Sequence, residues 1–291
     1  MTRRRFRIRA FTPGALAGSR AYFDPVSLGA IDAAFGTPAA HRRKNAAFGF
    51  FANVPFGPDA SEFIAWIVYG GGAELARQLY RKSNIAFLPC GLAPANTAGW
   101  FRTPLRSVAD LAGLKIAVRG FAADMFRRLG AAPQPLTVPA IYPALSRGVI
   151  DAGVAANPAI DRRLGLHQVA RHVHAPGWQP GPSLLELVIN LDTWAALPNA
   201  YREMVRTACR AQMTTTLAAA GTEVPEAVQA DIDDGVSYSP LPPPIINKLK
   251  EAWRETLQAE LAANADARMI WQSLDRFRER YRIWGARGYL R

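Results

Sequence analysis

His172 and His174 stand two residues apart and share one face of a strand, the spacing of a two-histidine metal site. No nearby carboxylate or cysteine completes the set, so a surface pair is expected. His41, in GTPAAHRRK, is expected to be a solvated loop residue. Gly70–Gly72 are not followed by GK[ST], so they cradle no phosphate. No G-x-S-x-G elbow offers a nucleophile, and no Gly-rich dinucleotide fingerprint follows a strand. The acidic residues are scattered, with Asp233–Asp234 in a turn. The chain has 2 cysteines, Cys90 and Cys209, too few for a disulfide framework or a metal cluster. A bridge between them stays open. Cys209 lies in the helical pattern MVRTACRAQM and reads as a small buried apolar residue. With no nucleophile and base to pair, the chain reads as a binder, not an enzyme, and calls for no cofactor.

The elements that would position a binding site alternate. Apolar runs at Leu114–Val118, Val149–Val154 and Leu184–Ile189 alternate with amphipathic helical segments, the pattern of β-α-β units around a largely parallel sheet. AYFDPVSLGAIDAAF reads as a helix and a strand turning at Gly29, with Pro25 interrupting the helix. Ser61–Ser83 reads as a helix broken at Gly70–Gly72. Ser107 and Asp110 form a capping box. Pro198 opens a long helix running to about Gly221. After Pro242–Pro244, Ile245, Leu249, Trp253, Leu257 and Leu261 make one apolar stripe, a packing face. Trp271, Phe277, Tyr281 and Trp284 belong to a last helix that docks on the body.

The net charge of the 291 residues is +12, which invites a nucleic-acid reading. The excess is arginine, spread along the chain apart from Arg3–Arg5, with no aromatic interleaving. No nucleic acid is therefore expected. No uninterrupted apolar run reaches the ~18 residues of a membrane span. MTRRRF resembles the start of a secretory signal, but the apolar region that should follow is missing. Phe6, Ile8 and Ala10 alternate instead with Arg5, Arg7 and Arg9, the period of a half-buried strand.

Several longer segments carry a family resemblance: GWFRTPLRSVADLAGLKIAVRG at Gly99–Gly120, IYPALSRGVIDA at Ile141–Ala152, APGW at Ala175–Trp178 and ELVIN at Glu186–Asn190. FFANVPFG and FRERYRIWG add to them. Together they resemble the DctP family, the solute-binding proteins of TRAP (tripartite ATP-independent periplasmic) transporters, and are nearest the branch that binds 2-oxo acids. The resemblance implies an α/β, two-lobe periplasmic solute-binding fold of type II kind, with hinged lobes joined by strands and a long helix. One unit would span residues 1–291: lobe I about 1–113 plus about 191–240, lobe II about 114–190, and C-terminal helices about 241–291 packing across both. It implies a periplasmic location, separate permease subunits as partners, and leaves a homodimer open. In the family a strand like Phe6–Ala10 follows a signal peptide, a strand and a helix, so Met1 is expected to be an internal methionine of a longer reading frame.

The site residues implied by the resemblance are altered. The carboxylate-gripping arginine falls at Ala117. Arg119, two steps along the same face, either substitutes for it or is a surface arginine. The branch's metal-binding carboxylates fall at Val154 and Pro180, which cannot ligate a hard cation, so no metal is expected. Ala39, Ala40 and His41 stand where the branch carries aromatics, and Ala155 replaces another. Asn96 stands near the branch's glutamine, and Asn157 matches the broader family. Tyr142, Trp100 and Trp178 are retained. The expected substrate set is Arg119, Asn157, Asn96, Tyr142, Trp100 and Trp178. Two functions follow: capture of a small organic carboxylate for transmembrane transport, or a diverged paralogue acting as an interaction protein.

Overall fold

The computed structural model describes residues 6–18 and 21–288. The basic run Arg3–Arg5 lies outside them. A short helix α1 (Phe23–Ser27) leads through Gly29, at φ 74°, to strand β1 (Ala33–Gly36). Helices α2 (Ala60–Val68) and α3 (Gly72–Arg81) are separated at the glycines, as their poor helix propensity predicts. Then come β2 (Ile85–Ala93), β3 (Gly99–Phe101), β4 (Lys115–Ala117), α4 (Phe121–Arg128), β5 (Ala132–Gln134) and α5 (Val138–Ser146). They are followed by β6 (Ala152–Gly153), α6 (Pro158–Arg163), α7 (Leu166–Val169), β7 (His172–His174) and β8 (Ser183–Asn190). The chain closes with α8 (Leu191–Ala196), α9 (Asn199–Asp233), β9 (Ser237–Ser239), α10 (Pro243–Ala263) and α11 (Ala265–Gly285).

The strands form two sheets. One is antiparallel, in the order β1-β8-β2. The other has the order β5-β4-β6-β3-β7-β9. Its β5-β4-β6 part is parallel, β3 runs antiparallel to both neighbours, and β9 is parallel to β7. Five of the six described strands of the second sheet thus run the same way, as expected of a largely parallel sheet, and β3 opposes them. The reason is connectivity. The chain leaves the first sheet by β2→β3 and returns by β7→β8, so β3 enters the second sheet against the direction of the β-α-β strands.

The two crossings lie side by side. Ala98 N–H donates to the His174 carbonyl at 2.8 Å. A Cβ on Gly177 would sit 2.5 Å from the Asn96 carbonyl oxygen, so only glycine allows this approach. Helix α9 is a third link, packing on β2 at its start and on α6 further along. It runs 12 residues past the expected end at Gly221, through Pro225, whose missing N–H leaves one carbonyl of the preceding turn without its helical partner. Helices α10 and α11 pack on each other; α10 also meets α4, and α11 meets α2 and α3.

Most of the apolar pattern is realised. Ile245, Leu249 and Trp253 are buried, while Leu257 and Leu261 are half-buried at the stripe's end. The Ser107–Asp110 box forms, on a 3-10 turn. Two expectations fail, the first only in part. The last helix docks as expected through Trp271 and Phe277, but not through Trp284, which is 62% exposed. Phe6–Ala10 forms no strand: Ile8 is 70% exposed, and no described strand pairs with it. Phe6 instead stacks on Tyr201, ring centres 5.2 Å apart.

Cys209 is buried, as expected, but not free: it is bonded to Cys90, 119 residues earlier, which ties β2 to α9. His41 is not solvated. It is 2% exposed, and its Nε2 lies 2.9 Å from Glu186 Oε1. Nor are His172 and His174 a surface pair. His174 is buried, its Nε2 accepts from Leu105 N–H at 3.0 Å, and its Nδ1 faces the Ser239 carbonyl at 3.2 Å. Burial holds its pKa below the usual histidine value, so the ring is neutral and both nitrogens are in use.

Candidate functional site

Parallel strands gather ligands at their carboxyl ends, where each strand turns into a helix. Here β4 and β6 lie in register with Ala117 opposite Gly153. Two residues beyond Ala117 comes Arg119, half-buried, and then Gly120 at φ 66°, which starts α4. No side chain caps the first turn of α4, which leaves its N–H groups and positive dipole end without a side-chain acceptor next to Arg119 in the chain. Beyond Gly153 come Val154, Ala155, Ala156 and Asn157. The amino end of β3 and the carboxyl end of β7 emerge at this same end, because Gly99 is paired with His174. It is the end that faces the first sheet.

The six sequence-predicted residues divide. Arg119, Asn96, Asn157 and Trp178 all belong to loops at this end. Asn157 is buried, and its Oδ1 accepts from Ile160 N–H at 3.2 Å, capping α6. Asn96 is half-buried and wedged against Gly177. Trp178 is 3% exposed, packs edge-on against Phe126 at 5.2 Å, and its Nε1 has no hydrogen-bond partner. An orphaned buried donor costs about 1–3 kcal/mol, a cost that a ligand acceptor would remove. Trp100 and Tyr142 stand apart. Trp100 is wholly buried in a second core with Ile141, Leu145 and Val173. The Tyr142 ring lies against Gly165, and its hydroxyl donates to Gln168 at 3.3 Å.

Trp100 Nε1 donates to Asp161 Oδ2, and Ala156 N–H to Asp161 Oδ1, both at 2.8 Å. Burial pushes the Asp161 carboxyl up to about 7, against the pull of those two bonds. The folded chain keeps this proton where the unfolded chain has already lost it. Stability therefore falls as pH rises from about 4 to about 7, by about 1.4 kcal/mol per unit. Asp161→Asn should gain on the parent by that slope in urea unfolding; a difference that stays flat over the window would refute the assignment.

The first half reaches this end through Arg42, which no sequence signal had marked. Its guanidinium lies over the Phe121 ring at 4.5 Å, donates to Asp124 on α4 at 2.8 Å, and pairs also with Glu260 on α10. A Cβ on Gly49 would meet the Phe121 ring at 2.6 Å, so the halves touch closely here. Trp178 adds a second seam, its carbonyl accepting from Phe56 N–H at 2.7 Å.

Oxygen donors are few at this end. The side chains of Val154 and Pro180 offer none, and Gln179 Nε2 is held by the Asn53 carbonyl at 2.7 Å. Among the described residues, no three His, Cys, Asp or Glu side chains come together as metal ligands.

The arrangement has neither nucleophile nor base. It suits reversible capture of an anion: a guanidinium and a helix start for the charge, neutral donors, aromatic walls, and two halves that meet over them. Comparison with known proteins identifies the family. The model of the DctP family, bacterial extracellular solute-binding protein family 7, matches residues 1–264. A monocarboxylate 2-oxoacid-binding periplasmic protein of Nostoc sp. (strain PCC 7120) is 30% identical over 285 residues, 98% of this chain and 78% of that protein. A TRAP transporter solute-binding protein from Bordetella bronchiseptica RB50, solved with copurified calcium and picolinate in one site and the other site apo, superposes with a TM-score of 0.91. It is 33% identical, over 96% of this chain and 83% of that one. A TRAP periplasmic solute-binding protein from Colwellia psychrerythraea with bound calcium and pyruvate gives a TM-score of 0.86 at 30% identity, over 90% and 80% of the two chains. With its two lobes and its match over most of its length, the chain belongs to the DctP family of bacterial extracellular solute-binding proteins.

Proposed function

We propose that this chain captures a small monocarboxylate, of the 2-oxo acid or aromatic acid kind, in the periplasm and hands it to separate TRAP permease subunits. The observation that carries this is Arg119 beside the uncapped start of α4, at the end of the parallel strands that faces the other half. Asn96, Asn157 and Trp178 supply donors, and the buried indole N–H of Trp178 has no partner among the described residues. The Cys90–Cys209 bridge supports an oxidising compartment, as the periplasm is. A homodimer, found for the Bordetella protein, is open to a sedimentation test.

Thermal shift against a panel of mono- and dicarboxylates, pyruvate and picolinate among them, tests the reading. A saturating monocarboxylate should raise the melting temperature, by about 2.7 kcal/mol of added stability at one hundred times Kd. Arg119→Ala should cost at least about tenfold in affinity, since a charge-assisted bond is worth about 1.5–3 kcal/mol. A flat response across the panel would leave the chain as the diverged paralogue instead.

A further inference from the structure

The receptor reading carries one further inference, which rests on it. The Bordetella and Colwellia proteins were solved with calcium as well as the organic acid. A calcium ion needs six to eight oxygen ligands, carboxylates prominent among them. The corresponding end of this chain does not meet that demand. The strand ends and crossings present Val154, Ala155 and Pro180. The carboxylates nearest in the fold are each engaged. Asp161 is fully buried beneath the loop, with one oxygen on Trp100 and the other on Ala156. Asp124 is held by Arg42 and Arg127. Glu186, on the first sheet, is enclosed by Tyr22, His41 and Tyr80. Asp151 stands at the opposite end of β6, accepting from Lys115 N–H at 2.9 Å.

Charge balance points the same way. Arg119 and one bound carboxylate neutralise each other. Adding a divalent cation with no protein carboxylate would leave two positive charges uncompensated in a half-buried site, where the low effective dielectric makes that expensive. We propose that this chain holds its solute carboxylate without a bridging cation, the Arg119 guanidinium and the first turn of α4 supplying all of the positive charge. The solute is then bound through its carboxylate alone, and acids that offer a second chelating atom, such as 2-oxo acids and picolinate, lose their advantage over plain monocarboxylates of equal size.

The test is calorimetric titration of the chelator-dialysed protein with pyruvate, picolinate and propionate, in sodium-free buffer, with and without millimolar calcium. Affinities that agree within about twofold in the two buffers, with propionate within about tenfold of pyruvate, are the expected result. Tightening of tenfold or more by calcium or sodium overturns the inference and leaves the receptor reading standing. No binding by any acid in either buffer removes both. Terbium luminescence gives a separate readout: with Trp178 in the site, a bound lanthanide would be sensitised. The expected signal with saturating pyruvate is that of buffer, and a saturable one overturns the proposal.

Discussion

Replacing Cys90 and Cys209 together by alanine should lower the unfolding free energy by about 4 kcal/mol, since both are buried where β2 meets α9. The bridge closes a loop with a sequence separation of 119, and loop-closure entropy predicts a stabilisation of that order for a loop so long. Its neighbours add little compensation. Leu88, Ile189, Trp194 and Val205 form a small satellite cluster around it, separate from the main core. Without the bond, α9 is held to β2 chiefly by this cluster and by the bond from Leu92 N–H to Thr216 at 2.9 Å. Urea unfolding with and without reductant measures the effect on the native chain, and the double variant measures it without chemistry. A loss under about 1 kcal/mol would show that the cross-link constrains nothing the fold does not already fix.

The second large effect is at Glu186. This carboxylate is fully buried in β8 and accepts from Tyr22 at 2.9 Å and from Tyr80, with His41 at 2.9 Å. The three partners are buried too. Burial, reinforced by the neighbouring carboxylate, pushes the Tyr80 phenol well above its ordinary value, so it remains a donor at any working pH. Glu186→Leu fits the apolar strand by shape, yet it takes the acceptor from the Tyr80 hydroxyl and the His41 imidazole in a dry core, while Tyr22 keeps its bonds to Thr37. The cost should be about 3–5 kcal/mol, as for breaking any buried charged network from one side. Glu186→Gln keeps one acceptor and should cost about half as much. Equal stabilities of the Leu and Gln variants in urea would mean that packing, and not the polar network, sets the value of this position.

These two sites show where sequence reading reaches and where it stops. Local chemistry was legible. Gly29 turns, Ser107 and Asp110 cap each other, and Gly70–Gly72 separate two helices, because each needs only its own few neighbours. The family resemblance supplied the two halves and their crossings. Distant pairings were not legible. His41 looked like a loop residue because Glu186, which buries it, comes 145 residues later. Cys209 matched a buried helical position and also a disulfide, and spacing alone could not choose. One signal was available: a glutamate inside the apolar strand SLLELVIN must find partners, since a lone buried charge is costly. Of the candidate site, the loop residues Arg119, Asn96, Asn157 and Trp178 reach one end of the second sheet. Trp100 suited the family's segment GWFR and suits a core equally well, and the structure buries it there with its N–H anchored on Asp161. Arg42 left no trace in the text because its two carboxylates come from helices 82 and 218 residues away.

The paired crossings have a mechanical consequence. Bonded at Ala98 and His174 and pressed together at Gly177, the two connecting segments act as a flat leaf spring. Such a strip flexes readily across its thickness and resists twisting or sideways slip. A swing of the halves in one plane is the motion that such a strip favours. A solute too large to let the halves meet is then expected to show as loss of the Arg42–Asp124 pair.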